Sequence, residues 1–339
     1  MLKIGNYHLH TSIYEGTASI VYRGIRQLDQ QSIIFKLLKQ DTPTTQERTR
    51  YRQEYDITCT LNQNSRLGGI IQAYALEEWQ DRLAIVLEDF GGISLRQAMQ
   101  SALGQVTPFT IADFLAIALQ ITNILGEIHA SNIIHKDINP SNILIHPQTK
   151  QIKLIDFGIS TVLSRENPTL KNPNVLEGTL AYLSPEQTGR MNRALDYRTD
   201  FYSLGVTFYE LLTGDVPFDV NDPMELVHCH IARQPQPLHQ LNPDIPPAIS
   251  HIVSKLMAKT AEERYQSTWG IKADLDECLR QWQGTQTIDE FPLARRDFSD
   301  TLQIPQTLYG REQELEQLLT AFERVTSVSQ STSLNTSPD

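Results

Sequence analysis

Over the first ninety residues, apolar and polar side chains follow one another in short runs. IVYRGIRQ, SIIFKLL, IIQAYALEE and LAIVLED are rich in β-branched residues and separated by turn formers, which predicts strands. One helical stretch, roughly Gln46 to Leu61, interrupts them. After Gly91 and Gly92 the period lengthens. Ile111, Phe114, Leu115, Ala118, Ile121, Leu125 and Ile128 recur at helical spacing and predict a long buried helix. ILIHP and IKLID, separated by Gln148, Thr149 and Lys150, predict a hairpin. Further helices are expected in TDFYSLGVTFYELLTG, PMELVHCHIA, PAISHIVSKLMAK and WGIKADLDECLRQW, with Pro217, Pro223 and the 235–247 segment as breakers. The pattern predicts an α+β, two-lobed chain, with a small β-rich lobe at about 7–90 and a larger helical lobe at about 91–282.

Beyond these elements the pattern fades. Residues 283–305 are polar and aperiodic and are expected to be a linker. REQELEQLLTAFERV resumes helical spacing within 306–325, and the Ser/Thr/Asn-rich end, 326–339, is expected to be disordered. A formal charge of −11 repels polyanions on average, so nucleic-acid partners are not expected. Three scattered cysteines, Cys59, Cys229 and Cys278, fit a reducing compartment and neither a disulfide framework nor a zinc site. MLKIGNYHLH has no basic segment leading into an apolar one, and FLAIALQITNIL is interrupted by Gln120, Thr122 and Asn123. A cytoplasmic chain without membrane insertion is expected.

Candidate chemistry sharpens the picture. HKDINPSN places a carboxylate, Asp137, and a carboxamide, Asn142, on one short loop behind the apolar pair Ile133 and Ile134. Fourteen residues after Asn142 comes Asp156-Phe157-Gly158, at the end of an expected strand. One carboxylate able to accept a hydroxyl proton, with an amide oxygen and a second carboxylate able to hold Mg²⁺, is the set that phosphoryl transfer needs. Either motif alone recurs by chance; the two at this interval, after a helix and with a strand between, are far more specific.

On these motifs the chain resembles the protein-kinase superfamily, in its eukaryotic-like Ser/Thr group, over residues 7–282. The resemblance implies a bilobal kinase fold, ATP and Mg²⁺ as cofactors and a protein substrate presenting Ser or Thr. It makes Asp137 the residue that orients the substrate hydroxyl and takes its proton, and Asn142 and Asp156 the metal ligands. Lys36 in SIIFKLL matches the lysine that grips the nucleotide phosphates, and Glu54 in RQEYDI its helical ion-pair partner. IYEGTASIVYRG aligns with the nucleotide-covering G-x-G-x-x-G-x-V turn. There Gly16 is retained, Tyr14 and Ser19 replace the flanking glycines, and Val21 roofs the adenine. Leu87, Glu88 and Asp89 fall at the adenine hinge, with Leu87 as gatekeeper. His135 is expected to pack against the metal-binding motif, which Phe157 and Gly158 complete. EGTLAYLSPEQ matches the end of the activation segment, with Thr179 in the position typical of Ser/Thr kinases and Glu186 paired to Arg264. Asp200 matches the carboxylate that caps the catalytic loop.

Two positions depart from that pattern. Lys136 replaces the arginine of His-Arg-Asp, so a point charge stands where a planar fork would clamp a phosphorylated loop at Thr161, Ser164 or Thr169. Asn139 stands where such kinases carry a lysine for the γ-phosphate, a loss of transition-state charge stabilisation on the order of 10²- to 10³-fold. The rival expectation is therefore a nucleotide-binding pseudokinase acting as a scaffold. A small-molecule phosphotransferase fits poorly, because such enzymes generally lack a segment like Thr179 to Glu186. Finally, IPQTLYGREQELEQLLTAF resembles the opening of a STAND or AAA-type ATPase module. In large bacterial signalling proteins that module follows an N-terminal kinase domain, sometimes with GAF and histidine-kinase domains after it. The resemblance implies a chain truncated after the kinase domain or the first piece of a longer protein, with downstream signalling domains or proteins as partners; an amphipathic docking helix is the alternative.

Overall fold

The computed structural model describes residues 2–66, 68–100, 104–162, 178–190 and 195–298. The chain forms a bilobal kinase fold. Its small lobe is a six-stranded antiparallel sheet of β1 (Leu2–Ile4), β2 (Tyr7–Glu15), β3 (Ser19–Arg26), β4 (Gln31–Leu38), β5 (Ala73–Trp79) and β6 (Arg82–Glu88), in the order β1-β2-β3-β4-β6-β5. Among the described residues one helix, α1 (Thr45–Asn64), packs against it. Alternation sets the faces: Ile33, Phe35 and Leu37 of β4 are buried, while Lys36 between them points toward α1. Thr44 begins α1 with a capping box, accepting from the Glu47 N–H while Glu47 reaches back to the Thr44 N–H.

The helical lobe follows β7 (Ile93–Ser94) and contains α2 (Leu95–Met99), α3 (Ile111–Ala130), β8 (Ile133–Ile134), β9 (Ile143–Ile145), β10 (Ile152–Leu154) and β11 (Thr161–Val162). After two 3-10 turns, Leu180–Tyr182 and Pro185–Thr188, come α4 (Arg198–Thr213), α5 (Pro223–Ala232), α6 (Leu238–Leu241), α7 (Pro247–Leu256) and α8 (Thr268–Thr285). β9 and β10 form the expected hairpin, with Ile143 opposite Leu154. α3 is long and apolar enough to cross a bilayer. Its apolar face is instead consumed by the core, where Phe114, Leu115, Ala118, Ile121, Leu125 and Ile128 are fully buried against α4, α8 and β10.

Two expectations change. Residues 70–72, expected to begin β5, lie outside it, although Ile70 bridges to Leu154. More importantly, the segment expected as a linker from residue 283 is, through Phe298, a packed strap. α8 runs to Thr285, Ile288 is buried, and Phe291, Leu293 and Ala294 lie against the main core. The apolar residues that do this are too few and too unevenly spaced to announce themselves as a helix or strand. The expected helix at 306–325, the tail at 326–339 and the candidate sites Ser164 and Thr169 lie outside the described residues.

Candidate active site

Lys36 is the meeting point of the small lobe and the metal-binding motif. β4 carries it opposite Val21 of β3 and Ile85 of β6. Its Nζ donates to Glu54 Oε1 at 2.6 Å and to Asp156 Oδ1 at 3.1 Å. Burial works to pull the ammonium down, but the Asp156 and Glu54 carboxylates outweigh it and hold the group above its ordinary value. The Asp156 side chain keeps 44% of its surface open, so the carboxylate remains available to a ligand. Burial raises it, while Lys36 and the Gly158 N–H hold it below the usual carboxylate range.

The backbone beneath is strained where the site needs it. Asp156 and Lys136 sit at φ 66° and 69°, in the left-handed region that costs a side chain energy. Asp200 offsets that cost at Lys136: its Oδ1 accepts the Lys136 N–H at 2.7 Å and its Oδ2 the His135 N–H at 2.9 Å. His129 Nε2 lies 2.8 Å from the same Oδ2. Burial raises Asp200, yet His129 and these backbone donors bring it below its ordinary value. The His135 ring packs against Phe157 at 4.9 Å between ring centroids, tilted by 57°. Its Nδ1 accepts the Asp137 N–H at 3.3 Å while Nε2 faces the Ile155 carbonyl at 3.2 Å, which assigns the proton to Nε2. His135 therefore joins the two catalytic motifs as packing.

Asp137 is held from two sides. Its Oδ2 accepts from Asn142 Nδ2 at 2.9 Å and its Oδ1 from the Thr179 N–H at 3.0 Å. Asn142 spends its amide donor on Asp137, which leaves its side-chain carbonyl oxygen as the acceptor, and its main-chain carbonyl accepts the N–H of Ile155, the residue before Asp156, at 3.0 Å. Asn142 and Asp156 thus fit a hard cation that takes its remaining oxygens from phosphate and water. Among the described residues no group of three or more His, Cys, Asp and Glu side chains is placed to hold a metal by itself. Asn139 is buried and donates to the Asp137 carbonyl at 3.1 Å and toward Thr179 Oγ1 at 3.4 Å. It ties the catalytic loop to the activation segment and supplies no charge. Lys136 Nζ donates to Thr161 Oγ1, at the start of that segment.

Glu186 and Arg264 anchor the segment's far end with two contacts, Nη1 to Oε1 at 2.6 Å and Nη2 to Oε2 at 2.8 Å. Thr199 adds a third donor at 2.9 Å. Burial raises the Glu186 carboxyl, but Arg264 and Thr199 hold it below its ordinary value.

The nucleotide side of the cleft has its own local contacts. The Gly16 N–H closes its turn onto the Ser19 carbonyl at 2.9 Å and is not offered to a phosphate in this geometry. The exposed Tyr14 ring covers Gly16 so closely that a Cβ there would meet it at 2.9 Å. Glu88 and Asp89 direct their side chains to Lys153 at 2.6 Å and Arg23 at 2.9 Å, leaving only main chain for a base. Leu87 packs under α1 with Tyr51, Tyr55 and Leu76. Sequence reasoning missed Arg23, although it lies two residues from Val21 on one strand and so shares its face. It also missed Arg96, which binds Tyr182 and Glu210 beside the catalytic loop; no local spacing signals a contact across more than eighty residues.

Known proteins match this arrangement. The protein kinase domain profile matches residues 7–275. Serine/threonine-protein kinase PrkC of Bacillus subtilis is 30% identical over 80% of this chain and 40% of its own length. Serine/threonine-protein kinase PknB of Mycolicibacterium smegmatis is 34% identical over 56% of this chain and 29% of its own. Hybrid signal transduction histidine kinase G of Dictyostelium discoideum is 31% identical over 63% of this chain and 9% of its own. The chain spans less than half the length of each of these relatives. With catalytic loop, metal-binding motif and strand lysine assembled as the motifs require, the chain belongs to the protein kinase family.

Proposed function

We propose that the chain is an active serine/threonine protein kinase, transferring the γ-phosphate of ATP to hydroxyls of a protein substrate in intracellular signalling. The observation that carries this reading is the simultaneous engagement of Lys36 with Glu54 and Asp156 while Asp137 is held by Asn142 and Thr179. Lys36 keeps a charged ammonium in the cleft for the nucleotide phosphates. Asp137, fixed by two donors, orients a substrate hydroxyl and accepts its proton. Asn142 and Asp156 would hold Mg²⁺, which when bound neutralises charge on the transferred group. Thr179 faces Asp137 from the segment on which a protein substrate would lie.

A nucleotide-binding scaffold remains the second reading, and Asn139 favours it: the residue is neutral, buried and committed to internal bonds. Phosphate transfer to the chain itself and to a generic Ser/Thr protein separates the two. Asp137→Ala should lower transfer by roughly 10²- to 10⁴-fold relative to the unaltered chain. Equal signal from both proteins removes the kinase reading and leaves the scaffold.

A further inference from the structure

The strap that follows α8 lies beyond the part of the chain the kinase family accounts for, which ends at residue 275. From Gln286, where the backbone turns through φ 57°, it runs back along α8 toward the start of that helix. Its attachments are specific. The Ala294 N–H donates to Asp274 Oδ2 at 2.8 Å, on the oxygen that also accepts from the Tyr265 hydroxyl at 2.6 Å. Asp297 then reaches the first turn of α8. Its Oδ2 accepts the Gln266 N–H at 2.7 Å and its Oδ1 the Ser267 hydroxyl at 2.8 Å. With its proton so directed, Ser267 Oγ is left to accept the Gly270 N–H at 3.0 Å as helix cap. A carboxylate there also meets the positive end of the helix. Gly270 is matched to it, since a Cβ at that position would stand 2.4 Å from Asp297 Oδ1.

The anchored residues lead to the substrate side of the active site. Gln266 accepts from Arg198 Nη1 and, through its carbonyl, from the Tyr197 hydroxyl, both at 2.8 Å. Its side-chain amide donates to the carbonyls of Ala261, Glu262 and Arg264. It therefore closes the short loop that presents Arg264 to Glu186. Glu186 ends the segment whose other end, Thr179, donates to Asp137.

We propose that Asp297 is a positioning residue for the protein-substrate side of the site, acting through Gln266 and the Arg264–Glu186 pair. It makes no contact with Lys36, Asp156 or Asn142, so it sets the fit of the phosphoacceptor segment and leaves nucleotide binding alone. The proposal rests on the kinase reading, and its test keeps the two apart.

In the full chain, Asp297→Ala and Gly270→Ala are compared with the unaltered protein. Initial rates are taken with a generic Ser/Thr protein substrate varied at saturating Mg-ATP, nucleotide affinity is taken by calorimetry, and amide hydrogen exchange is followed. Each variant should raise the KM for the protein substrate roughly three- to tenfold with nucleotide Kd unchanged. Each should also speed exchange at residues 182–188. Gly270→Ala carries particular weight, because alanine favours helix and would raise the Tm if Asp297 were idle. Unchanged KM in both variants, a KM and nucleotide Kd that rise together, or a higher Tm in Gly270→Ala with unchanged exchange at 182–188 would overturn the role. If the unaltered chain transfers no more phosphate than Asp137→Ala, the kinase reading fails. Exchange at 182–188 then decides the coupling alone: faster in Asp297→Ala upholds it and unchanged refutes it.

Discussion

Two buried ion pairs of similar length do opposite work in this molecule. Lys36 meets Glu54 at 2.6 Å, and Arg264 meets Glu186 at 2.6 Å, with both carboxylates 7% exposed. Yet burial pushes Glu54 up to about 7, against the pull of Lys36, whereas Glu186 is held below its ordinary value. The difference lies in the donors. Glu186 receives two from a planar fork and one from Thr199, while Glu54 receives one from an ammonium that it shares with Asp156. A carboxylate with three donors is an anchor, because each donor favours the ionised form. A carboxylate with one shared donor can let go at modest cost, and Glu54 sits on α1, the helix packed on the small-lobe sheet.

The comparison is broken most directly by deleting each cation. Arg264→Ala leaves Glu186 buried without its partner and strands the carbonyls of Ala258 and Arg198 that the guanidinium also serves. It should cost about 3–5 kcal/mol in denaturant unfolding. Lys36→Ala should cost less, on the order of 1–2 kcal/mol, because Glu54 is already close to taking up a proton and can neutralise itself. Its effect should fall on phosphate transfer instead, by roughly 10²- to 10³-fold. Equal stability losses in the two variants would show that the pairs are alike after all.

Acid and base should separate the pairs as well. Glu54 has a raised folded value, so the folded state binds its proton more tightly, and this group's contribution to stability declines from the ordinary carboxyl range up to about pH 7. Transfer activity should run the other way, rising through about pH 7 as Glu54 ionises and holds Lys36. Glu54→Gln should flatten that limb in a pH–rate profile. Glu186 has a depressed folded value, so its stabilisation is present above the ordinary range and is lost as pH falls through the lower one. Glu186→Gln should thus remove part of the acid limb of an unfolding curve and leave the activity limb near pH 7 in place.

The anchor was more legible in the sequence than the strap, for physical reasons. Motifs such as HKDINPSN and DFG gather candidate chemistry on a few adjacent residues, so spacing singles out Asp137 and Asn142 on one loop and Asp156 after the following strand, which the structure brings together. Resemblance to the family points to Lys36 and Val21, while only the structure pairs them across β3 and β4, and helical period points to α3 and α8. The hidden parts depend on contacts between distant segments. Arg96 with Glu210, Lys153 with Glu88, and Asp297 with Gln266 and Ser267 involve residue types that are ordinary on a surface and become informative only when folding brings them together. Gly16 shows a subtler gap: the sequence marks the turn, but not that Tyr14 lies across it or that the Gly16 N–H is taken by Ser19.

The smallest expected effect tests whether the small-lobe pair depends on how firmly α1 is started. Thr44 caps that helix through the Glu47 N–H at 3.2 Å, and Glu47 returns the bond to the Thr44 N–H at 2.8 Å, on an exposed end. Thr44→Ala should remove about 1 kcal/mol of local stability. Glu54 lies ten residues further on, about three turns into the helix, so its placement feels fraying only weakly. Phosphate transfer should fall no more than two- to threefold, and hydrogen exchange should quicken at residues 45–50 while 182–188 stays unchanged. Were exchange to quicken at both, α1 and the Glu186 anchor would belong to one cooperative unit, and the division between a releasable grip and a fixed base would not hold.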